Sequence, residues 1–152
     1  MAKVNLRAVP CTGSVLGLIE GAYSELEALH DECQEIVDNA SDGLSQTQRI
    51  QTFEETANTL DFADSVPDVP EVVQDLEVHY TEDRRKSKST SRATRCSESC
   101  NLLYGVVAAL DAWLDDDSNS EHEDRDDVES LKDDLENNIN EAEGCEFPGM
   151  YG

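Results

Sequence analysis

The chain has 152 residues, with 35 Asp and Glu against 11 Lys and Arg, and a formal net charge of −24. That balance excludes a broad nucleic-acid-binding or anionic-membrane face, because phosphates are contacted by Lys and Arg. With 38% hydrophobic and 5% aromatic residues, the length fits one domain, residues 1–152, around a modest and mainly aliphatic core.

No run of about 18 apolar residues is present, so no membrane-spanning helix is expected. The N-terminal apolar stretch is short and broken by Pro10, Gly13 and Gly17, which argues against a signal peptide and for a cytoplasmic protein. The charge is unevenly spread. Residues 1–83 hold 3 basic and 18 acidic groups (−15), residues 84–110 hold 6 and 1 (+5), and residues 111–143 hold 2 and 15 (−13). The basic stretch from Arg84 to Arg95 is expected to lie near acidic helices and lower their self-repulsion.

Helical periodicity dominates the chain. Over residues 14–39, Val15, Ala22, Leu29 and Ile36 recur at sevenfold spacing, and Leu18, Ile19, Leu26 and Cys33 fill the same side, which predicts an amphipathic helix. Ser45 and Gln48 have capping-box spacing, and Ile50, Phe53, Ala57 and Leu60 give one apolar side over 46–63. A short connection makes this pair an antiparallel hairpin.

Pro67 and Pro70 end that pattern, with a short helix predicted from Pro70 to Asp75. Leu76 to Tyr80 alternates as a strand would, but a lone strand has no partner, so residues 64–90 read as an extended linker with a basic end. The third helix spans 91–115, apolar nearly all round through Cys96, Cys100, Leu103, Val107, Leu110 and Leu114, and is expected at the centre with Trp113 at its edge. Residues 115–124 read as a mobile acidic loop. A fourth helix over 126–143 carries Val128, Leu131, Leu135, Ile139 and Ala142, followed by a non-helical tail over 144–152 whose Phe147, Met150 and Tyr151 can dock on the body or on another protein. The fold class is therefore all-α, a four-helix bundle or two packed helical hairpins.

Five cysteines (Cys11, Cys33, Cys96, Cys100 and Cys145) stand out. Without a secretory signal they are expected as reduced thiols, those on apolar faces acting as small hydrophobes. Zinc is the sharper alternative. His30 and Cys33 lie one turn apart on the first helix, Cys96 and Cys100 one turn apart on the third, and antiparallel packing would gather a Cys₃His set. A bridge between Cys96 and Cys100, or one from Cys145, is a third option. No catalytic motif occurs and His30, His79 and His122 are the only histidines, so no enzyme and no obligatory cofactor are expected. The acidic run after Trp113 lacks the glycine that an EF-hand loop needs.

Two helices carry rows of carboxylates: Glu20, Glu27, Asp31, Glu35 and Asp38 on the first, and Glu129, Asp133, Glu136 and Glu143 beside Asp127, Asp134 and Glu141 on the fourth. A helix rises about 1.5 Å per residue and duplex DNA carries one charge per about 1.7 Å, so such rows can stand in for phosphates against a basic protein groove.

The stretch Leu26 to Asn39, followed by Asp42-Gly43-Leu44 and Gln48-Arg49, resembles small helical accessory proteins of tailed viruses of bacteria and archaea, in which an acidic helix, an Asn–acidic–Gly–Leu turn and a second acidic helix succeed one another. The resemblance covers about the first 60 residues and implies a viral accessory protein. In charge and size the chain is also similar to DNA-mimicking inhibitors of host defence. The expected function is thus non-enzymatic binding of a basic protein partner, without direct nucleic-acid or membrane contact. The alternative is a structural or assembly module, self-associating through residues 102–114 or the tail, with acidity reflecting a saline habitat in which salt screens the repulsion.

Overall fold

Residues 8–41, 43, 47–83 and 91–148 are described by the computed structural model. Ser14 starts the first helix, α1 (Val15–Asp38), by accepting a hydrogen bond from the Gly17 N–H at 3.0 Å, which satisfies one of the orphan donors of the first turn. Thr47 plays the same part for α2 (Gln48–Thr59), accepting from the Ile50 N–H at 3.3 Å. The expected cap, Ser45, lies outside the described residues. A 3₁₀ turn, Leu60–Asp64, extends α2 to the predicted end. Ser91 caps α4 (Arg92–Asp115), and α5 (Arg125–Glu143) places Asp126 and Asp127 in its first turn, where the helix dipole favours anions.

The chain is mostly helical, but it is not purely α. Ala8–Ser14 forms β1 and Glu77–Asp83 forms β2, an antiparallel pair in register from Ala8 with Asp83 to Ser14 with Glu77. This corrects the extended linker over 64–90. The alternating segment after Leu76 has its partner in residues before α1, where Pro10 and Gly13 hide the strand pattern. Each strand of a two-stranded ribbon keeps one free edge, so a proline costs little there. The Val15 N–H donates to the Leu76 carbonyl at 3.1 Å, carrying the pairing into the start of α1. The short helix α3 (Glu71–Gln74) precedes β2, close to where it was predicted.

Residues 115–124 hold local structure that their composition hides: a 3₁₀ turn, Asp117–Asn119, in the loop between α4 and α5. The Asp116 carboxylate accepts from the Ser118 N–H (2.9 Å) and hydroxyl (2.7 Å), which hold it below the usual aspartate range. Asn119 donates to the Trp113 carbonyl, and the Arg125 guanidinium to the Leu114 carbonyl at 2.9 Å, so two orphan acceptors at the end of α4 are satisfied. The His122 ring meets the Trp113 ring edge to face at 5.3 Å.

Packing follows the apolar stripes. α4 packs on both α1 and α5, α2 packs on α1, and β2 crosses α4. At that crossing a Cβ on Gly105 would come within 3.0 Å of Val78 Cγ1 and 3.3 Å of the His79 carbonyl. The main core joins Ile19, Tyr23, Leu26, Leu103, Val106, Leu110, Leu131, Leu135 and Ile139. A smaller cluster of Cys33, Phe53 and Ala57 is closed by Ile36, Val37 and Phe147. Phe147 thus docks on the body, held by the Thr56 hydroxyl donating to the Glu146 carbonyl at 2.7 Å. Met150 and Tyr151 lie outside the described residues. No described helix is long and apolar enough to cross a membrane.

Candidate functional site

All twelve carboxylates of the expected partner-binding rows are exposed: Glu20, Glu27, Asp31, Glu35 and Asp38 on α1, and Asp127, Glu129, Asp133, Asp134, Glu136, Glu141 and Glu143 on α5. Their placement follows from helix geometry. At about 100° per residue, the α1 row runs along the side opposite Val15, Ile19, Leu26, Leu29 and Cys33, which are buried. On α5 the core face of Val128, Leu131, Leu135 and Ile139 leaves the two rows on separate flanks.

Cations are distributed selectively. Arg92 and Arg95, at the described end of the basic stretch, clasp the inner flank of α1. Arg92 Nε is 3.1 Å from Glu32 Oε1, Arg95 NH2 is 2.8 Å from Glu32 Oε2, and Arg95 also binds Glu25. Hydrogen bonding from Arg95 holds the Glu32 carboxyl below the ordinary glutamate range. The expectation that the basic segment lies against an acidic helix is met at these two residues; residues 84–90 lie outside the described part. Lys132 joins Asp111 of α4 to Glu136, and Arg125 sits 3.5 Å from Glu129. Among the described residues Asp31 pairs with His30 and Asp38 accepts from Gln34, and Glu143 accepts from the Tyr104 hydroxyl at 2.6 Å. Glu20, Glu27, Glu35, Asp127, Asp133, Asp134 and Glu141 make no ion pair among the described residues. The outward row of α1 therefore keeps its negative field, while the inner carboxylates Glu25 and Glu32 are spent on holding α1 to α4.

The cysteines converge differently from the proposed zinc set. His30 turns to Asp31 (3.0 Å) and Asp61 (3.8 Å) beside the 3₁₀ turn after α2, whereas Cys33 is wholly buried against Phe53 and Ala57. Among the described residues no three His, Cys, Asp or Glu side chains are arranged to hold a metal ion. Cys96 and Cys100 instead lie one turn apart on α4 and share a cleft of about 330 Å³ with Cys145, Tyr104 and Phe147. The neighbouring Cys100 thiol lowers the Cys96 pKa, while Cys96 and burial raise that of Cys100. Burial pushes Cys33 and Cys145 up to about 11. Sequence spacing pointed to Cys96 and Cys100; nothing in it placed Cys145 beside them.

A cleft of about 780 Å³ lies between α1, β2 and α4 and is lined by Glu25, Arg95, Glu98 and Leu102. Its guanidinium is already engaged by Glu25 and Glu32. The apolar face of residues 102–114 is largely covered by the protein itself: Leu103, Val106, Leu110 and Trp113 are buried, and Leu102, Val107, Ala109 and Leu114 pack against the core. No family model, curated protein or solved structure matches this chain.

Proposed function

We propose that the protein is a non-enzymatic acidic binding module, a viral accessory protein that occupies the basic groove of a host nucleic-acid-binding or defence protein in place of DNA. The observation that carries this reading is the α1 row, Glu20, Glu27, Asp31, Glu35 and Asp38, exposed opposite the core face of a rigid 24-residue helix. The second supply of carboxylates, on α5, lies on a helix that shares α4 with α1. Electrostatic steering makes capture by such rows fast and salt-sensitive. Net charge of about 2–8 in magnitude already suffices for solubility of a small domain, so −24 exceeds that need. The cover over residues 102–114 favours this reading over self-assembly through that face.

The test is binding to a panel of nucleases and nucleic-acid-binding proteins over a range of salt. The expected partner binds with an affinity that falls steeply with salt and is competed by duplex DNA. A panel in which every interaction is insensitive to both salt and DNA rejects mimicry.

A further inference from the structure

We propose that Cys96 and Cys145 are a peroxide-responsive thiol pair, in which Cys96 is oxidised first and Cys145 closes a disulfide onto it. The two sulfurs come from different elements, the body of α4 and the turn that follows α5, and meet at the last turn of α5. Cys96 Sγ donates to the Ala142 carbonyl at 3.5 Å and Cys145 Sγ donates to the Glu141 carbonyl at 3.6 Å, so the thiols sit on consecutive peptide units. Both line the same cleft, where Cys145 is half-buried and Cys96 is 4% exposed, so a small oxidant reaches Cys96 by entering the cleft.

The other thiols fit the exchange less well. Cys100 lies one turn from Cys96 on a packed helix, where Cβ atoms are about 5–6 Å apart, while a disulfide needs about 3.5–4.5 Å. Closing that pair would distort α4 beside its contacts with α5. Cys145 follows Gly144 at a helix end and is half-buried, so closing a bridge to it leaves the body of α4 undistorted. Cys33 is wholly buried behind Phe53.

With a hydroperoxide as oxidant, the Cys96 sulfur attacks the terminal peroxide oxygen. The O–O bond breaks, an alcohol (or water, from hydrogen peroxide) leaves, and Cys96 becomes a sulfenic acid. The Cys145 sulfur then attacks the Cys96 sulfur, the S–O bond breaks, and the oxygen departs as water with the Cys145 proton. Two thiols lose two electrons in all, and one peroxide gains them. The product fastens to α4 the segment that carries the Glu146 carbonyl to Thr56 and Phe147 to the Phe53 cluster, so oxidation tightens the attachment of α2.

The reduced full-length protein is treated with stoichiometric hydrogen peroxide, alkylated and mapped by mass spectrometry. The expected product is about 2 Da lighter, yields a peptide pair joining Cys96 to Cys145, and melts roughly 5–15 °C higher. Cys145→Ser should abolish the cross-link and leave Cys96 labelled by dimedone, whereas Cys100→Ser should retain it. Circular dichroism confirms that each variant folds. A Cys96–Cys100 bridge, a purely intermolecular disulfide, dimedone labelling on cysteines other than Cys96, or oxidation no faster than in the denatured chain overturns the proposal.

Discussion

Tyr23 is wholly buried on α1, and its hydroxyl accepts from Asn138 Nδ2 of α5 at 2.6 Å, joining two helices that otherwise meet chiefly through α4. Burial raises the Tyr23 pKa and keeps the phenol neutral. Tyr23→Phe removes the acceptor while the half-buried Asn138 can turn to water, so the expected loss is about 1 kcal/mol, read in urea unfolding. Arg95 and Glu32 give a pH-dependent case. Because the folded pKa of Glu32 is lowered, its contribution is complete above the unfolded glutamate value and is lost as pH falls through the lower folded one. Stability measured from about pH 6 to about pH 3 should therefore converge between the native protein and Glu32→Gln. Comparing the two proteins cancels the relief of repulsion among the other carboxylates, which acts in both. A gap that persists or widens on acidification contradicts the assignment. At this scale the outward carboxylates of α1 were legible, since their angular positions follow from spacing alone. That Glu25 and Glu32 meet arginines was not, because that depends on how α4 lies against α1.

Glycine substitutions separate the elements. Gly105→Ala gains helix propensity, yet its Cβ would press on Val78 Cγ1 and the His79 carbonyl where β2 crosses α4. A net destabilisation of about 1–3 kcal/mol is expected from this overpacking. Gly21→Ala on α1 meets nothing within 4 Å, and should stabilise by about 0.5–1 kcal/mol. Thermal unfolding of the two variants in opposite directions is the check. The long helices were readable to within a few residues because each has an apolar stripe and three begin at a Ser or Thr cap. The β pair was not, since its two strands are separated by α1 and α2 and one contains Pro10 and Gly13. Residues 115–124 escaped for another reason: composition registers charge, whereas order there comes from Asp116, Asn119 and Arg125 binding specific backbone groups.

Across the whole molecule, 11 Lys and Arg cannot neutralise 35 Asp and Glu, and repulsion opposes the compact state. Raising salt from about 0.02 to about 0.5 M shortens the screening length severalfold, so the melting temperature should rise. It should rise less for a variant carrying Glu27→Gln, Asp31→Asn and Glu35→Gln. If the proposed function holds, that variant also loses about tenfold or more in partner affinity, whereas Glu54→Gln with Glu55→Gln on α2 leaves affinity within about twofold. Equal losses from both variants would indicate a response to total charge and not to the α1 row.

The Thr56 bond to the Glu146 carbonyl, ninety residues away in sequence, also sets an order of events during synthesis. On a ribosome, α2 and Phe53 emerge long before Phe147, so the small Cys33–Phe53–Ala57 cluster stays open until the distal segment leaves the exit tunnel. A chain truncated before Cys145 and released should therefore expose Phe53 to proteases and chaperones even after α1, α4 and α5 have met. Emergence of Glu146 and Phe147 then acts as the latch that closes this cluster.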